Sequence, residues 1–218
     1  MARYFNFFPT TVYTANTGTD GLDIVTNIIS RFGFERQLKE NSAAFYKYQI
    51  QDSDTPEIIA YKYYDNAERH WIVLAFNDIF DPQWDWPLKQ ENLIKYINDK
   101  YSSNGAANTT VQTGLQWAKS DNNVQSYYKT ITRTNPDNIQ ISEVIELDAG
   151  TWANTGEYTV NYTLQEGVTI TETLTKSKKT YYEYELEENE KKREINLLKP
   201  EFVPAVEKEF KRVIKGKR

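Results

Sequence analysis

The chain has 218 residues, no cysteine and one histidine, and its formal net charge is −5 with a pI near 5.1. Without cysteine there is no disulfide or thiolate site, and one histidine cannot build a catalytic triad or a histidine metal cluster. The acidic balance argues against binding through phosphate neutralisation, and no apolar run reaches membrane-spanning length. We expect no enzyme, no cofactor, no metal, no nucleic-acid partner and no membrane contact.

Residues 1–44 are predicted to form an N-terminal arm. Residues 10–21 are rich in Thr, Asn, Gly and Asp, which is typical of a loop, and residues 22–34 predict a short helix. The arm opens with aromatic residues that need a surface to bury them. That surface is either the chain's own core or a neighbouring protein.

Residues 45–101 predict a module with the order strand, helix, helix, strand, followed by a third helix. Residues 45–51 alternate as a half-buried strand does, and Thr55 before Pro56 predicts a helix N-cap. Asp65-Asn66 separates two helices that end near Tyr64 and Asp81. The chain then returns extended through Trp84 and Trp86, and residues 89–101 form the third helix.

Residues 102–177 predict a β-rich insertion. A linker at 102–108 precedes alternating segments at 126–132, 139–147, 158–164 and 168–174. Gly167 between the last two predicts a hairpin, because glycine accepts the positive φ of a bulged turn. The expected result is a small antiparallel sheet with a threonine-rich outer face, a surface decoration specific to this protein.

Residues 178–218 predict a helical tail. A long helix at 179–199 is polar all round between Glu187 and Glu194, and Pro200 separates it from a last helix that carries Val203 to Ile214. The tail is either solvated and loosely held, or a strut that ends in a docking helix. The fold class predicted for the whole chain is α+β.

Few side chains suggest chemistry. His70, between Arg69 and Trp71, is predicted to be structural. The aspartates around the module lie at turns and helix ends, where they cap helices, so a glycosidase carboxylate pair is not expected. They are Asp52, Asp54, Asp78, Asp81 and Asp85.

Ser53-Asp54-Thr55 before the first helix and Trp71…Asn77 in the second resemble a LysM module. The longer block looks like the LysM-like baseplate wedge protein of contractile-tailed (myovirus) bacteriophages. It runs Tyr48…Pro56-Glu57-Ile58-Ile59-Ala60…Tyr64…Trp71-Ile72-Val73-Leu74…Asn77-Asp78…Asp81-Pro82…Trp86-Pro87-Leu88. Both ends share the likeness, through Phe5-Asn6-Phe7-Phe8-Pro9 and Tyr182-Glu183-Tyr184-Glu185…Asn189-Glu190-Lys191-Lys192-Arg193-Glu194-Ile195…Leu198-Lys199-Pro200. Residues from about 102 to 176 do not.

The resemblance implies a structural subunit of the virion's tail baseplate, made in the host cytoplasm and present in several copies around a six-fold baseplate. Its implied partners are other wedge proteins and the sheath-initiating subunit. It also favours a neighbouring protein as the surface that buries the aromatic arm. The candidate interface residues are Tyr4, Phe5, Phe7, Phe8, Trp84, Tyr181, Tyr182, Leu198 and Phe210.

The alternative function is a LysM module that binds peptidoglycan and anchors a protein to the cell wall. Saccharide-binding LysM modules usually carry Gly-Asp-Thr before the first helix, whereas this chain has Ser53-Asp54-Thr55 followed by Pro56. Trp84-Asp85-Trp86-Pro87-Leu88 replaces their closing glycine and isoleucine-proline. Because such modules usually act in repeats and this chain has one, we favour the structural role.

Overall fold

The computed structural model describes residues 4–13, 23–28, 32–106, 112–164 and 167–214. Helices and strands are mixed along the chain, which confirms the α+β class. The helices are α1 (Arg36–Glu40), α2 (Pro56–Tyr64), α3 (His70–Phe76), α4 (Pro82–Asp85), α5 (Gln90–Lys100), α6 (Ser102–Ala106), α7 (Gly114–Lys119), α8 (Ala149–Asn154), α9 (Tyr181–Lys191) and α10 (Val203–Ile214). The strands are β1 (Thr10–Tyr13), β2 (Asp23–Thr26), β3 (Phe45–Gln49), β4 (Val124–Thr134), β5 (Gln140–Leu147), β6 (Tyr158–Thr163), β7 (Thr169–Thr180) and β8 (Glu194–Leu198).

The chain divides into two compact units that differ from the four predicted segments. Unit 1 combines Met1–Lys89 with Glu190–Arg218, and unit 2 is Gln90–Asn189. The arm, most of the module and the end of the tail therefore share unit 1, whereas the third predicted helix belongs to unit 2. Unit 1 is held together by strand pairing between residues that are far apart in the sequence. A division of the chain into consecutive segments cannot show such pairing.

The central sheet of unit 1 pairs β3 with β8 in antiparallel register, from Phe45 opposite Leu198 to Gln49 opposite Glu194. The predicted return strand through Trp84 and Trp86 is wrong. Proline at the first helical position favours the short helix α4 instead, and the Asp81 side chain accepts a hydrogen bond from the Gln83 N–H at 3.1 Å. Trp86 still packs against the core.

The predicted helix at 179–199 ends early, because α9 stops at Lys191 and β8 follows. Ile195, Leu197 and Leu198 are all buried in β8. Pairing with β3 satisfies the strand's backbone while these side chains enter the core, and that tertiary gain overrides helix propensity.

Asn77 secures the other side of β8. Its Nδ2 donates to the carbonyls of Val73 and Asn196, both at 2.8 Å, and its Oδ1 accepts from the Asn196 N–H at 2.7 Å. Asn77 and Asn196 are 119 positions apart in the sequence. The Asn77 side-chain amide thus bonds the backbone N–H and C=O of Asn196, as a neighbouring strand would, and joins the end of α3 to β8.

The core of unit 1 lies among α2, α3, β8 and α10. The predicted last helix is confirmed, since its apolar side chains recur at three- and four-residue intervals and face this core. The buried residues of the core are Phe8, Ile50, Ile59, Ala60, Tyr64, Trp71, Ile72, Val73, Phe76, Ile195, Leu197, Leu198, Val203, Val206, Phe210 and Ile214.

The buried carboxylate of Asp54 ties β3 to α2. It accepts hydrogen bonds from the Tyr48 hydroxyl at 2.5 Å, the Lys62 Nζ at 2.7 Å and the Gln51 N–H at 3.1 Å. Burial alone would raise the pKa of Asp54, but the bonds from Lys62, Tyr48 and Gln51 outweigh it and hold that pKa below its ordinary value of 3.8. The Trp86 indole N–H also donates to the Asp54 carbonyl, at 3.3 Å.

Unit 2 contains a helical cluster in which α7 packs on α5 and α6. Part of the predicted linker at 102–108 is helix α6, and residues 107 and 108 lie outside the described residues. The start of α7 comes so close to the end of α5 that a Cβ on Gly114 would lie 2.1 Å from the Asn98 carbonyl oxygen. Glycine is therefore required at this position.

The sheet of unit 2 has the order β5-β4-β7-β6, with every neighbouring pair antiparallel. The four predicted strands are confirmed, and Gly167 has a φ of +78°, as the predicted hairpin requires. Threonines of β4 and β7 share one face, opposite the face that carries Ile131 and Leu174. Helix α8, which the strand pattern did not predict, places Trp152 against Tyr127 on that second face, with ring centroids 5.1 Å apart.

In unit 2, α9 is not a solvated strut. The Glu185 carboxylate is buried and accepts hydrogen bonds from the Lys100 Nζ at 2.6 Å and the Tyr101 hydroxyl at 2.7 Å. The acidic Glu185 of α9 therefore helps to join α9 to the end of α5. In the described residues, no helix is both long enough and apolar enough to cross a membrane.

A fragment of residues 45–101 should fail to fold, because it lacks β8 and α10 and leaves the apolar faces of β3, α2 and α3 exposed. Residues 4–89 joined to residues 190–214 by a flexible glycine-serine linker should unfold cooperatively. Thermal unfolding followed by circular dichroism compares the two. A cooperative transition in the short fragment alone would contradict the role of β8.

Replacing Asp54 with Asn should destabilise the protein by about 1–3 kcal/mol, since buried hydrogen-bond donors lose a charged partner. The lowered pKa of Asp54 contributes stability that is fully present above the unfolded-state pKa near 3.8 and is lost as the pH falls through the folded-state pKa. Denaturant unfolding between about pH 2 and 7 should show a shallower acid loss in Asp54→Asn. The matched control Asp52→Asn removes the charge of an exposed carboxylate that pairs with the largely buried Arg193, and it should cost under about 1 kcal/mol because Arg193 keeps its ion pair with Glu190. Equal effects of the two changes would refute the role of Asp54.

Candidate protein interface

Most of the N-terminal aromatic residues pack on their own chain. The Tyr4 ring stacks on Trp71 and Phe210, with centroids 5.6 and 5.4 Å apart, and Phe8 contacts Phe210 at 5.9 Å. Burial raises the pKa of the Tyr4 phenol, which keeps it neutral. These aromatic rings fill gaps in the core of unit 1, so the expectation that a neighbouring protein buries the whole arm is corrected. Phe5 remains 57% exposed.

An open groove of about 450 Å³ lies beside this aromatic cluster in unit 1. Tyr4, Trp71 and Phe210 lie along it, and charged side chains form its rim. The Arg69 guanidinium donates to Glu207 and to the Tyr64 carbonyl, both at 2.7 Å, which fixes one side of the rim. The sequence alone did not predict this groove, because its described lining comes from three segments that are far apart in the chain, at residues 4–7, 64–71 and 207–211.

The strands β1 and β2 form a two-stranded hairpin in which all eight residues are exposed. The predictions of a loop at 10–21 and a helix at 22–34 are wrong where the structure describes these residues, because Val12 and Ile24 face each other across a strand pair. Val, Ile and Thr favour extended backbone. A lone two-stranded hairpin is marginally stable in water. Both strands therefore offer apolar surface that a partner could cover.

The loop between α3 and α5 presents two large aromatic side chains to solvent. Trp84 is 59% exposed, and Phe80 is similarly exposed. The Lys192 Nζ donates to the Trp84 carbonyl at 2.6 Å. The Asp85 carboxylate accepts from the Asp81 N–H, and the Asp81 carboxylate accepts from the Gln83 N–H, both at 3.1 Å. We call this segment, residues 80–84, the aromatic loop. Its backbone is held in place before any partner arrives, which lowers the entropy cost of binding.

The tyrosines at the start of α9 have partners within unit 2. Tyr181 packs on Trp117 at 5.1 Å and on Tyr101 at 5.3 Å, and the Lys119 ammonium lies 4.5 Å from the Tyr182 ring centroid. Both tyrosines are half-buried. They form part of the helical cluster and present only a limited surface.

Leu198 and Phe210 are each 1% exposed and lie inside the core of unit 1. A buried side chain cannot contact a partner unless the core opens, so the fold does not support the expectation that these two residues dock a neighbour. Apolar residues flanking a polar helix can equally belong to a core strand and a core helix. That ambiguity produced the expectation.

The arrangement in unit 1 is a rigid core with exposed aromatic and apolar projections, as expected of an assembly part. The chain belongs to the family of base plate wedge protein 53, whose family model matches residues 3–213. It is also similar to the baseplate wedge protein gp53 of Enterobacteria phage T4, with 28% identity over 106 residues. That match covers 46% of this chain and 53% of the phage T4 protein, so it spans about half the length of the curated relative.

Replacing Phe8 with Ala should destabilise unit 1 by about 3–5 kcal/mol, the usual cost of removing a buried phenylalanine. Phe5→Ala is the matched control and should cost under about 0.5 kcal/mol, because that ring is largely exposed. Denaturant unfolding of the two variants measures the difference. Similar small losses would show that the arm does not pack on the core.

Proposed function

We propose that this chain is a structural subunit of the baseplate wedge of a contractile-tailed bacteriophage, where it links neighbouring wedge proteins during baseplate assembly. The observation that carries the proposal is the family match, which extends from residue 3 to residue 213 and so includes both units. The relative's name, baseplate wedge protein, agrees with it. Of the two functions expected from the sequence, these findings favour the structural one over cell-wall binding.

Unit 1 supports a linking role through two different projections. The aromatic loop exposes Phe80 and Trp84 on a backbone that hydrogen bonds hold in place. The hairpin of β1 and β2 exposes apolar side chains on a sheet of only two strands. Tryptophan is enriched among residues that dominate binding energy, and such residues act best when they are held in place before binding. The aromatic loop is therefore proposed as one contact with a wedge neighbour, and the hairpin as another.

The family membership also supports a proposal for the partners, the copy number and the place of synthesis of this chain. The partners are other wedge proteins and the sheath-initiating subunit, and several copies surround a six-fold baseplate in the virion. The protein is made in the host cytoplasm, and a chain without cysteine suits that reducing compartment. The order β3, α2, α3, β8 supports a LysM-like arrangement in which β8 supplies the closing strand.

Replacing Trp84 with Ala should leave the fold intact and lower incorporation into phage particles by roughly thirtyfold, which corresponds to a loss of about 2 kcal/mol at a binding hot spot. Phages that lack their own copy of the gene would be supplied with the variant, and mass spectrometry of purified tails would measure its amount. Gln83→Ala changes an exposed polar neighbour on the same short helix and should enter tails at the wild-type level.

Absence of the wild-type protein from purified tails would refute the proposed function itself. Normal incorporation of Trp84→Ala beside a normal wild type would leave the family role standing and exclude the aromatic loop as an important contact.

A further inference from the structure

In the part of the chain that the structure describes, no strand pairs with the outer edge of β5 in unit 2. This eight-residue strand lies at the end of the sheet, and Ile141 and Val144 are 71% and 63% exposed on opposite faces. Edge strands are usually protected by charged side chains, especially lysine, or by proline, a bulge or short length. β5 has no lysine or proline, and its register with β4 runs without a shift.

The alternation of hydrogen bonds between β4 and β5 shows which residues of β5 have backbone groups that point away from β4. At the hairpin, the Asn135 N–H donates to the Ile139 carbonyl at 3.1 Å, so residues 135 and 139 form a hydrogen-bonded pair. Because such pairs alternate along an antiparallel ladder, the odd-numbered residues of β5 bond to β4. The outward backbone groups belong to Gln140, Ser142, Val144 and Glu146.

The charge on this edge strand and at its two ends is acidic, whereas basic side chains, Lys129 and Arg133, lie on the neighbouring strand β4 opposite Ile145 and Ile141. Between Arg133 and Lys176 there is no lysine or arginine. Glu143 and Glu146 lie on β5 itself, and Asp137 and Asp148 flank its two ends. A partner strand that carries lysine or arginine would complement this edge, whereas a second acidic β5 would not.

We propose that β5 accepts an extended segment of a neighbouring tail protein, with lysine or arginine side chains among apolar ones, as a fifth strand of the sheet. The proposal rests on the proposed function, because the segment comes from another baseplate component. Backbone bonds to the four outward residues supply the binding, and the surrounding carboxylates select a basic segment. Unit 2 then has an assembly role of its own and is more than a surface decoration.

The opposite edge, β6, is a less suitable acceptor. It has six residues and carries no charged side chain. Leu164 donates to the Val168 carbonyl at 2.8 Å, so by the same alternation Thr159, Asn161 and Thr163 point outward from β6. Asn161 is therefore the position on β6 that corresponds to Val144 on β5.

Proline substitution tests the edge without breaking the sheet. Val144→Pro removes an outward N–H and no bond to β4. Asn161→Pro removes an outward N–H from β6 and also the side-chain oxygen that accepts from the Thr171 hydroxyl at 2.9 Å, so it is the more disruptive control. In phages that depend on the supplied protein, Val144→Pro should enter tails about tenfold less than wild type, a loss of about 1.4 kcal/mol. Asn161→Pro should enter at the wild-type level. The melting temperature of purified Val144→Pro should be at least as high as that of Asn161→Pro, which separates loss of binding from loss of folding.

The occupant is identified by a photoreactive benzophenone side chain placed at residue 142 in assembled tails. Irradiation should join it to one segment of a different protein that carries lysine or arginine between apolar residues. Crosslinking to a second copy of this chain, or to an acidic segment, would overturn the choice of occupant.

The outcomes separate this proposal from the proposed function. If the wild-type protein is absent from tails, both fail. If wild type and Val144→Pro enter equally, the edge proposal fails while the wedge role remains. A double change of Glu143 and Glu146 to Lys should also lower incorporation, and an unaltered level would exclude charge selection at β5.

Discussion

The pairing of β3 with β8 is the constraint on which unit 1 depends. Each strand alone is five residues long, and together they form only a two-stranded sheet. Such a sheet is marginal unless it packs against helices. Here α2, α3 and α10 supply that packing, Asn77 bonds the outer side of β8, and the Tyr64 hydroxyl donates to the Leu198 carbonyl at 3.0 Å. The packing and the hydrogen bonds stabilise the two-stranded central sheet, as additional strands would in a larger sheet.

Charge and apolar surface are distributed differently in the two units. Unit 1 presents aromatic projections beside ion pairs such as Arg69 with Glu207, whereas the edge strands of unit 2 lie in a stretch that is only acidic. The units therefore suit different partners. The exposed apolar side chains of unit 1 would contribute binding free energy when a partner removes them from water. The β5 edge of unit 2 would bind a partner strand through backbone hydrogen bonds and favour a basic one. A linking subunit needs at least two such distinct surfaces.

Local signals predicted local structure well in this chain. Thr55-Pro56 predicted the start of α2, Gly167 predicted the last hairpin, and the spacing of Val203, Val206 and Phe210 predicted α10. The errors arose where distant residues decide. Ile195 and Leu197 suit a helix face or a strand equally, and only β3 selects the strand. Likewise, the aromatic arm needed a surface, and the sequence alone does not say that Trp71 and Phe210 lie together.

The long separation in sequence between β3 and β8 also links folding to binding. Because β3 must wait for residues that follow it by well over a hundred positions, the core of unit 1 closes only after β8 has been synthesised. Lys192, whose ammonium holds the Trp84 carbonyl, lies immediately before β8. The aromatic loop therefore reaches its final geometry only when β8 is in place. A chain that stops before β8 lacks the closed core, so the surface proposed for wedge contact is supported only once β8 has paired with β3.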